Sequence, residues 1–370
     1  MLNREVTVIV KVTNACDLQC RYCFIEPHVF HKRMSDETAR RVVRALLDSD
    51  FFERVNFVWH GGEPLLRGRE FYEKIINEQH AQPTTVRYTN SLQTNATRLD
   101  KTMASFLVGN GFHIGLSLDG PRELTDDVRR RRGGNAFSAH ATTTAAARLL
   151  RDFGRVPGAI VVVNRANVNE PEAVYRELAG QRINIQLNPL ARSGLAATDL
   201  GADLGINAEE YGDFLVRIFD VWFDDPTPPI AIEPLRHHVA RALGLPGVVE
   251  ACHFTSHCQR SFLGIAPDGD LFPCGLFQGE RDFRYGNIHE LAPEAVAATA
   301  LFGRIEERER RVVAGCMDCA FIDLCYSGCM FHSLKNGGRF DEKDYYCAGY
   351  RMYFEHLLRR IHASAVPATA

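Results

Sequence analysis

The chain has 370 residues, with 45% hydrophobic and 24% charged content and a formal net charge of −3. That length allows two or three domains around a large core, and the composition is that of an ordinary soluble protein. The small negative charge argues against nucleic acid as a bound partner; no apolar run spans a membrane and no signal-peptide core opens the chain, so the expected compartment is the cytoplasm.

The first half alternates short β-branched or aromatic runs with amphipathic stretches. Strands are predicted at 6–12, 56–59, 86–89, 113–118, 159–163 and 184–187, and helices at 35–49, 69–79, 101–110, 139–153 and 171–181. Ser35 is a suitable N-cap and Gly111 a suitable stop. These repeats predict an α/β fold: a partial (β/α)6 barrel over residues 1–200 that curls without closing and gathers ligands at the C-terminal ends of its strands. Residues 201–250 read as a helical connector, with helices at 208–223 and 233–243. Residues 251–350 read as a loop-rich domain in which Pro267-Asp268-Gly269-Asp270 is a hairpin turn. The last stretch, 351–370, carries most of a helix at 350–362, then a small-residue tail expected to be disordered.

Eleven cysteines need an explanation. Their number is odd and no export signal is present, so clustered thiols at short spacings point to metal or cluster ligation, not to disulfides. Cys16, Cys20 and Cys23 form C-x3-C-x2-C just past the first strand. Three thiolates at that spacing can hold three corners of a cubic iron–sulfur cluster and leave the fourth iron open. Zinc is the competing reading, but no nearby histidine is spaced to complete a closed tetrahedral site. In the second half, Cys258 and Cys274 frame Gly269 as C-x10-G-x4-C, followed by Cys316-x2-Cys319-x5-Cys325-x3-Cys329 and then Cys347, with Cys252 ahead of them all. A pair of zinc knuckles is the alternative there.

Three further segments follow predicted strands and so face the same mouth. Gly61-Gly62-Glu63-Pro64 allows a close backbone approach beside a carboxylate able to accept from an ammonium group, although a lone Gly-Gly is most simply a turn. Ser117-Leu118-Asp119-Gly120-Pro121 offers a hydroxyl and a carboxylate, and Gln93-Thr94-Asn95 follows the third strand.

With Tyr22-x-Phe24 around its third cysteine, the triplet resembles the cluster motif of the radical S-adenosylmethionine (SAM) enzymes. From residue 6 to about 350 the chain is similar to members carrying a C-terminal SPASM domain, the peptide-modifying and sulfatase-maturating branch. The resemblance implies a [4Fe–4S] cluster on Cys16, Cys20 and Cys23 whose open iron is chelated by the amino and carboxylate groups of SAM. One electron then cleaves SAM to methionine and a 5′-deoxyadenosyl radical, which abstracts hydrogen from substrate. It also implies two auxiliary [4Fe–4S] clusters, one on Cys252, Cys258, Cys274 and Cys329 and one on Cys316, Cys319, Cys325 and Cys347, three clusters in all. SAM contacts are implied for Tyr22, Gly61, Gly62, Glu63 (toward the methionine amine), Ser117, Arg129 (toward the carboxylate, a task suited to guanidinium) and Leu190 (against the adenine). Arg130, Arg131 and Arg132 crowd the arginine assignment, and Thr125 stands where many relatives carry histidine.

The implied activity is hydrogen abstraction from a residue of a ribosomally made precursor peptide or protein, giving a carbon–carbon, ether or thioether cross-link, or an epimer. The expected electron donor is a flavodoxin- or ferredoxin-like protein, with no nucleic-acid or membrane partner. Formylglycine formation on a sulfatase is ranked lower. Maturases carry an aspartate right after the third cysteine of the first auxiliary set, and this chain has Gly275, with Asp268, Asp270 and Glu280 nearby. A non-catalytic metal scaffold is the remaining alternative. No winged-helix domain precedes the first strand, so a leader peptide is expected to dock on the catalytic half, the cysteine-rich half or a separate partner.

Overall fold

The computed structural model describes residues 1–133, 136–245, 252–255 and 258–365. Alternation sets its sheet. In Glu5–Thr13 (β1), Val6, Val8, Val10 and Val12 are fully buried in one core with Val42, Val43 and Leu46 of the helix Asp36–Leu47, and Thr7, Ile9 and Lys11 turn to the opposite, inner face. Ser35 caps that helix by accepting from the Thr38 N–H.

All six predicted strands are present. After β1 and the short Leu18–Cys20 (β2) come Arg54–Gly61 (β3), Arg87–Gln93 (β4), Phe112–Ser117 (β5), Arg129–Arg131 (β6), Gly158–Val163 (β7) and Asn184–Pro189 (β8). β1, β3, β4, β5, β7 and β8 run parallel in that order. The intervening helices, Asp36–Leu47, Arg69–Ala81, Lys101–Gly109, Ala139–Asp152 and Pro171–Gly180, match the expected ones within two residues at each end.

The sheet extends further than the reading of the first half alone. Ile232–Glu233 (β9) adds beside β8, and Phe262–Ile265 (β10) pairs in parallel with the outer flank of β1. Asp270–Phe272 (β11) and Gly286–Asn287 (β12) follow antiparallel, with the expected hairpin turn joining β10 to β11. The order is β12-β11-β10-β1-β3-β4-β5-β7-β8-β9, an open sheet whose edges, β12 and β9, do not meet. The cysteine-rich half is thereby continuous with the barrel sheet.

The connector is also packed in. Its helix Ala208–Phe223 lies along the final helix Cys347–Ala365 through Tyr211 against Tyr350 and Phe219 against Tyr353, with Gly212 and Gly349 in backbone contact range. The final helix absorbs 363–365 of the expected tail; the rest of that tail lies outside the described residues.

Candidate active site

At the C-terminal ends of the strands lies a cavity of about 570 Å³. Its wall includes Cys16, Cys20 and Cys23, the glycines Gly61 and Gly62, and Tyr22, Ser117 and Arg129, and on the far side Cys252, Cys274 and Gly275. The strand-end segments singled out by sequence thus converge, with two exceptions described below.

The cysteine loop is fastened from several directions. Its strand β2 pairs antiparallel with β6, placing Cys20 opposite Arg129. Of the four consecutive arginines only Arg129 is buried in this ribbon; Arg130, Arg131 and Arg132 are exposed. From the third strand end, the Asn95 amide donates to Asp17 (3.1 Å) and Cys16 Sγ (3.5 Å), and Thr97 also donates to Asp17 (2.8 Å). Burial, reinforced by the neighbouring thiols, pushes Cys16 up and Cys23 to about 11, so iron binding must displace the protons of an empty loop.

Gly61 and Gly62 have a specific steric reason. A Cβ on Gly61 would lie 2.0 Å from the Thr13 carbonyl oxygen, and one on Gly62 2.3 Å from that of Ala15. The glycines therefore let this turn close onto the backbone at the base of the cysteine loop. The Gly62 and Glu63 N–H groups complete the junction by donating to Thr13 and Ala15 carbonyls (2.7 and 2.9 Å).

Glu63 does not line the cavity. It is fully buried, and its carboxylate accepts from the Leu65 N–H (2.9 Å), the Thr94 hydroxyl (2.8 Å) and the Asn95 N–H (2.8 Å). Its chemistry is spent tying the β3 turn to the β4 turn, a different task from the expected ammonium contact. Leu190 is also set back. It packs with Tyr22, Val128, Ala196 and Leu204, and its neighbours Pro189 and Ala191 reach the cavity wall.

Tyr22, Asp119 and Arg129 form one buried relay. The Tyr22 hydroxyl donates to Asp119 (2.6 Å) and accepts from the Arg129 guanidinium (2.5 Å), while Asp119 also accepts from the Val162 N–H (2.9 Å). Asp119 is thus an internal anchor. Arg129 keeps its buried Nε without a protein partner, a donor available to a bound carboxylate. Ser117, at the end of β5, accepts from the Gln93 amide (3.1 Å).

The second cysteine set separates into two neighbourhoods. Cys258 neighbours Cys252 and Cys274, and Cys329 neighbours both Cys258 and Cys274. Separately, Cys316 neighbours Cys319, Cys325 neighbours Cys316 and Cys347, and Cys347 neighbours Cys319. Buried Asp344 braces the loop between them, accepting from the N–H groups of Cys329 (2.7 Å) and Tyr346 (2.8 Å).

Sequence reading missed Lys11, His60, Gln186 and Asn188, which all line the cavity. The last two carried a signal, since Gln186 and Asn188 alternate with buried Ile185 and Leu187 along β8. His60 directly precedes Gly61, and its Nδ1 accepts from the Gly61 N–H (2.6 Å).

The family model for the radical SAM superfamily matches residues 10–178. The serine-type anaerobic sulfatase-maturating enzyme of Klebsiella aerogenes is 30% identical over 357 residues, covering 93% of this chain and 83% of that protein. The serine-type enzyme of Bacteroides thetaiotaomicron is 27% identical over 381 residues, covering 96% and 90%. The solved structure of native anSMEcpe with bound AdoMet and the Cp18Cys peptide superposes with a TM-score of 0.84 at 25% identity, covering 98% of this chain and 99% of that one.

Proposed function

The chain belongs to the radical SAM superfamily, as a whole-length relative of the anaerobic sulfatase-maturating enzymes, and we propose that it modifies a residue of a peptide or protein by hydrogen abstraction in the cavity described above. The observation carrying this reading is the convergence, on one cavity, of the Cys16–Cys20–Cys23 loop, the Gly61–Gly62 turn and the unpartnered donor of Arg129. When bound there, the [4Fe–4S] cluster and SAM supply the radical chemistry. The residues supply the rest: three thiols for iron, a guanidinium donor for the SAM carboxylate, and walls that screen the reacting carbon from water.

Two auxiliary clusters, held by the two cysteine neighbourhoods, complete the proposal. A flavodoxin- or ferredoxin-like donor and a cytoplasmic setting belong to the same reading, and among the described residues no helix is long and apolar enough to cross a membrane.

The product has two readings. A cross-link or epimer in a precursor peptide is favoured by Gly275, which removes the carboxylate that the resemblance places beside the substrate. Formylglycine is favoured by whole-length similarity to serine- and cysteine-type maturases, which weighs at least as heavily, so its lower rank from sequence alone does not stand. Mass spectrometry separates them. The anaerobically reconstituted protein, with dithionite and SAM, is given a Cys- or Ser-containing sulfatase peptide and, separately, a peptide encoded beside its gene. Aldehyde formation on the first selects maturation; loss of two mass units, or an inverted stereocentre, on the second selects peptide modification. Failure to form 5′-deoxyadenosine under any condition would sink both.

A further inference from the structure

Lys11 lies on the inner face of β1 and is almost completely buried at 1% exposure. It lines the cavity, and its Nζ lies 4.5 Å from the centre of the Phe24 ring with no hydrogen-bond partner among the described residues. Burial by itself favours the neutral amine here, so a charged Lys11 needs anions beside it. Among the described residues, the carboxylate acting on it is Glu26, which is already engaged: it accepts from the Ser193 hydroxyl (2.9 Å) and the Gly194 N–H (3.1 Å), and Lys335 stands 3.8 Å away. The other groups beside it are two thiols from opposite ends of the sequence, Cys23 and Cys274, which line the same cavity and become anionic once they hold iron.

The other buried cations at the cysteine sets are differently placed. Arg308 neighbours Cys258 and Cys329, but donates to the Phe340 and Glu342 carbonyls (2.8 and 2.6 Å) and to the Ser333 hydroxyl (3.1 Å). Arg129 faces Cys20 and is bonded to Tyr22. Lys11 alone among them stands between a thiol of the first set and a thiol of the second, with its donors unspent.

We propose that Lys11 is a positioning residue for electrons: a shared counter-cation that raises the reduction potentials of both the cluster held by Cys16, Cys20 and Cys23 and the auxiliary cluster that includes Cys274. This rests on the cluster assignment made above. Each one-electron reduction by an external low-potential donor adds a negative charge to a cluster already negative from its thiolates. A fixed positive charge in a low-dielectric wall favours that reduced state. Lys11 also gives the two clusters a common electrostatic control, because reduction of one draws on the same ammonium that the other uses.

The test is an EPR-monitored redox titration of the anaerobically reconstituted holoprotein, with dithionite as reductant and iron and sulfide counted on each sample. Lys11→Met should load the same iron as the parent and lower two of three midpoint potentials, leaving that of the Cys316–Cys319–Cys325–Cys347 cluster in place. Lys11→Arg should restore both. A neutral variant that fails to load these two clusters while Lys11→Arg loads them supports the same conclusion, because charge is then what the thiolates require. Fully loaded Lys11→Met with all three potentials unchanged would overturn the proposal, as would Lys11→Arg behaving like Lys11→Met. A parent protein that binds only one cluster would refute the cluster assignment itself, a distinct outcome read from the iron count.

Discussion

Gly275 stands against Ile9: a Cβ built on the glycine would lie 2.7 Å from Ile9 Cγ2. The place where the resemblance expects a carboxylate is therefore filled from the opposite strand. Gly275→Asp should destabilise the protein by about 1–3 kcal/mol through overpacking, and adding Ile9→Ala should recover most of that. Neither variant should form more formylglycine than the parent, because a base acts only on a substrate held within hydrogen-bond reach. Thermal melts and peptide mass spectra check both halves of this expectation.

Metal content is the second expectation. Anaerobic reconstitution should give about twelve iron atoms per chain, from three cubanes. Combined replacement of Cys16, Cys20 and Cys23 by alanine should remove about four and abolish 5′-deoxyadenosine formation, leaving the remaining iron bound. Stoichiometric zinc with little iron would contradict the assignment.

Among the four consecutive arginines, only the buried one should matter to SAM. Arg129→Ala should weaken SAM binding by about 2–4 kcal/mol, the cost of removing one side of a charged, buried hydrogen bond. Arg131→Ala, at an exposed position, should change it by less than about 0.5 kcal/mol. Equilibrium dialysis of SAM against the cluster-loaded proteins separates the two.

Glu63→Gln tests the internal role of that carboxylate. The amide would turn an N–H toward either the Asn95 N–H or the Leu65 and Thr94 donors, all of which need an acceptor. The expected loss is about 1–3 kcal/mol of stability, visible in urea unfolding of the protein before iron is added. Unchanged unfolding with weakened SAM binding would return Glu63 to the direct contact expected from sequence.

His60 should make stability fall on the acid side. Burial, and secondarily the Lys11 charge, lower its pKa to about 4 from the ordinary 6.5. The folded-state value is depressed, so this contribution is complete above about pH 6.5 and is lost as pH falls toward 4, with a slope of at most about 1.4 kcal/mol per pH unit. Comparing melts of the parent and His60→Gln between pH 7.5 and 5 should show the variant as the flatter of the two.

The parallel strands and their helices were legible because each carries its own period: valines at every second position in β1, and apolar stripes with a Ser35-type cap in the helices. The cysteine spacings were equally local. What escaped was register between distant segments. Nothing near Arg129 in sequence reveals that it pairs with Cys20, and that pairing alone distinguishes it from Arg130, Arg131 and Arg132. Glu63 was assigned outward because a carboxylate beside two glycines looks available; its three donors come partly from a turn more than a strand–helix unit away. Lys11 escaped for the opposite reason, since a lysine in an alternating strand reads as a solvated face until the sheet curls around it.

The central place of β1 has a consequence for how the chain is made. Its valine-rich backbone is flanked by β3, translated soon after, and by β10, translated only when most of the polypeptide has left the ribosome. Until Phe262–Ile265 arrives, one flank of β1 is an unpaired row of N–H and C=O groups on a strongly β-prone segment, directly upstream of three reactive thiols. A nascent or truncated polypeptide ending before that point is a template for strand addition by other chains. Chaperone cover over Glu5–Thr13 until then, and growth conditions that slow aggregation, therefore bear on the yield of this protein.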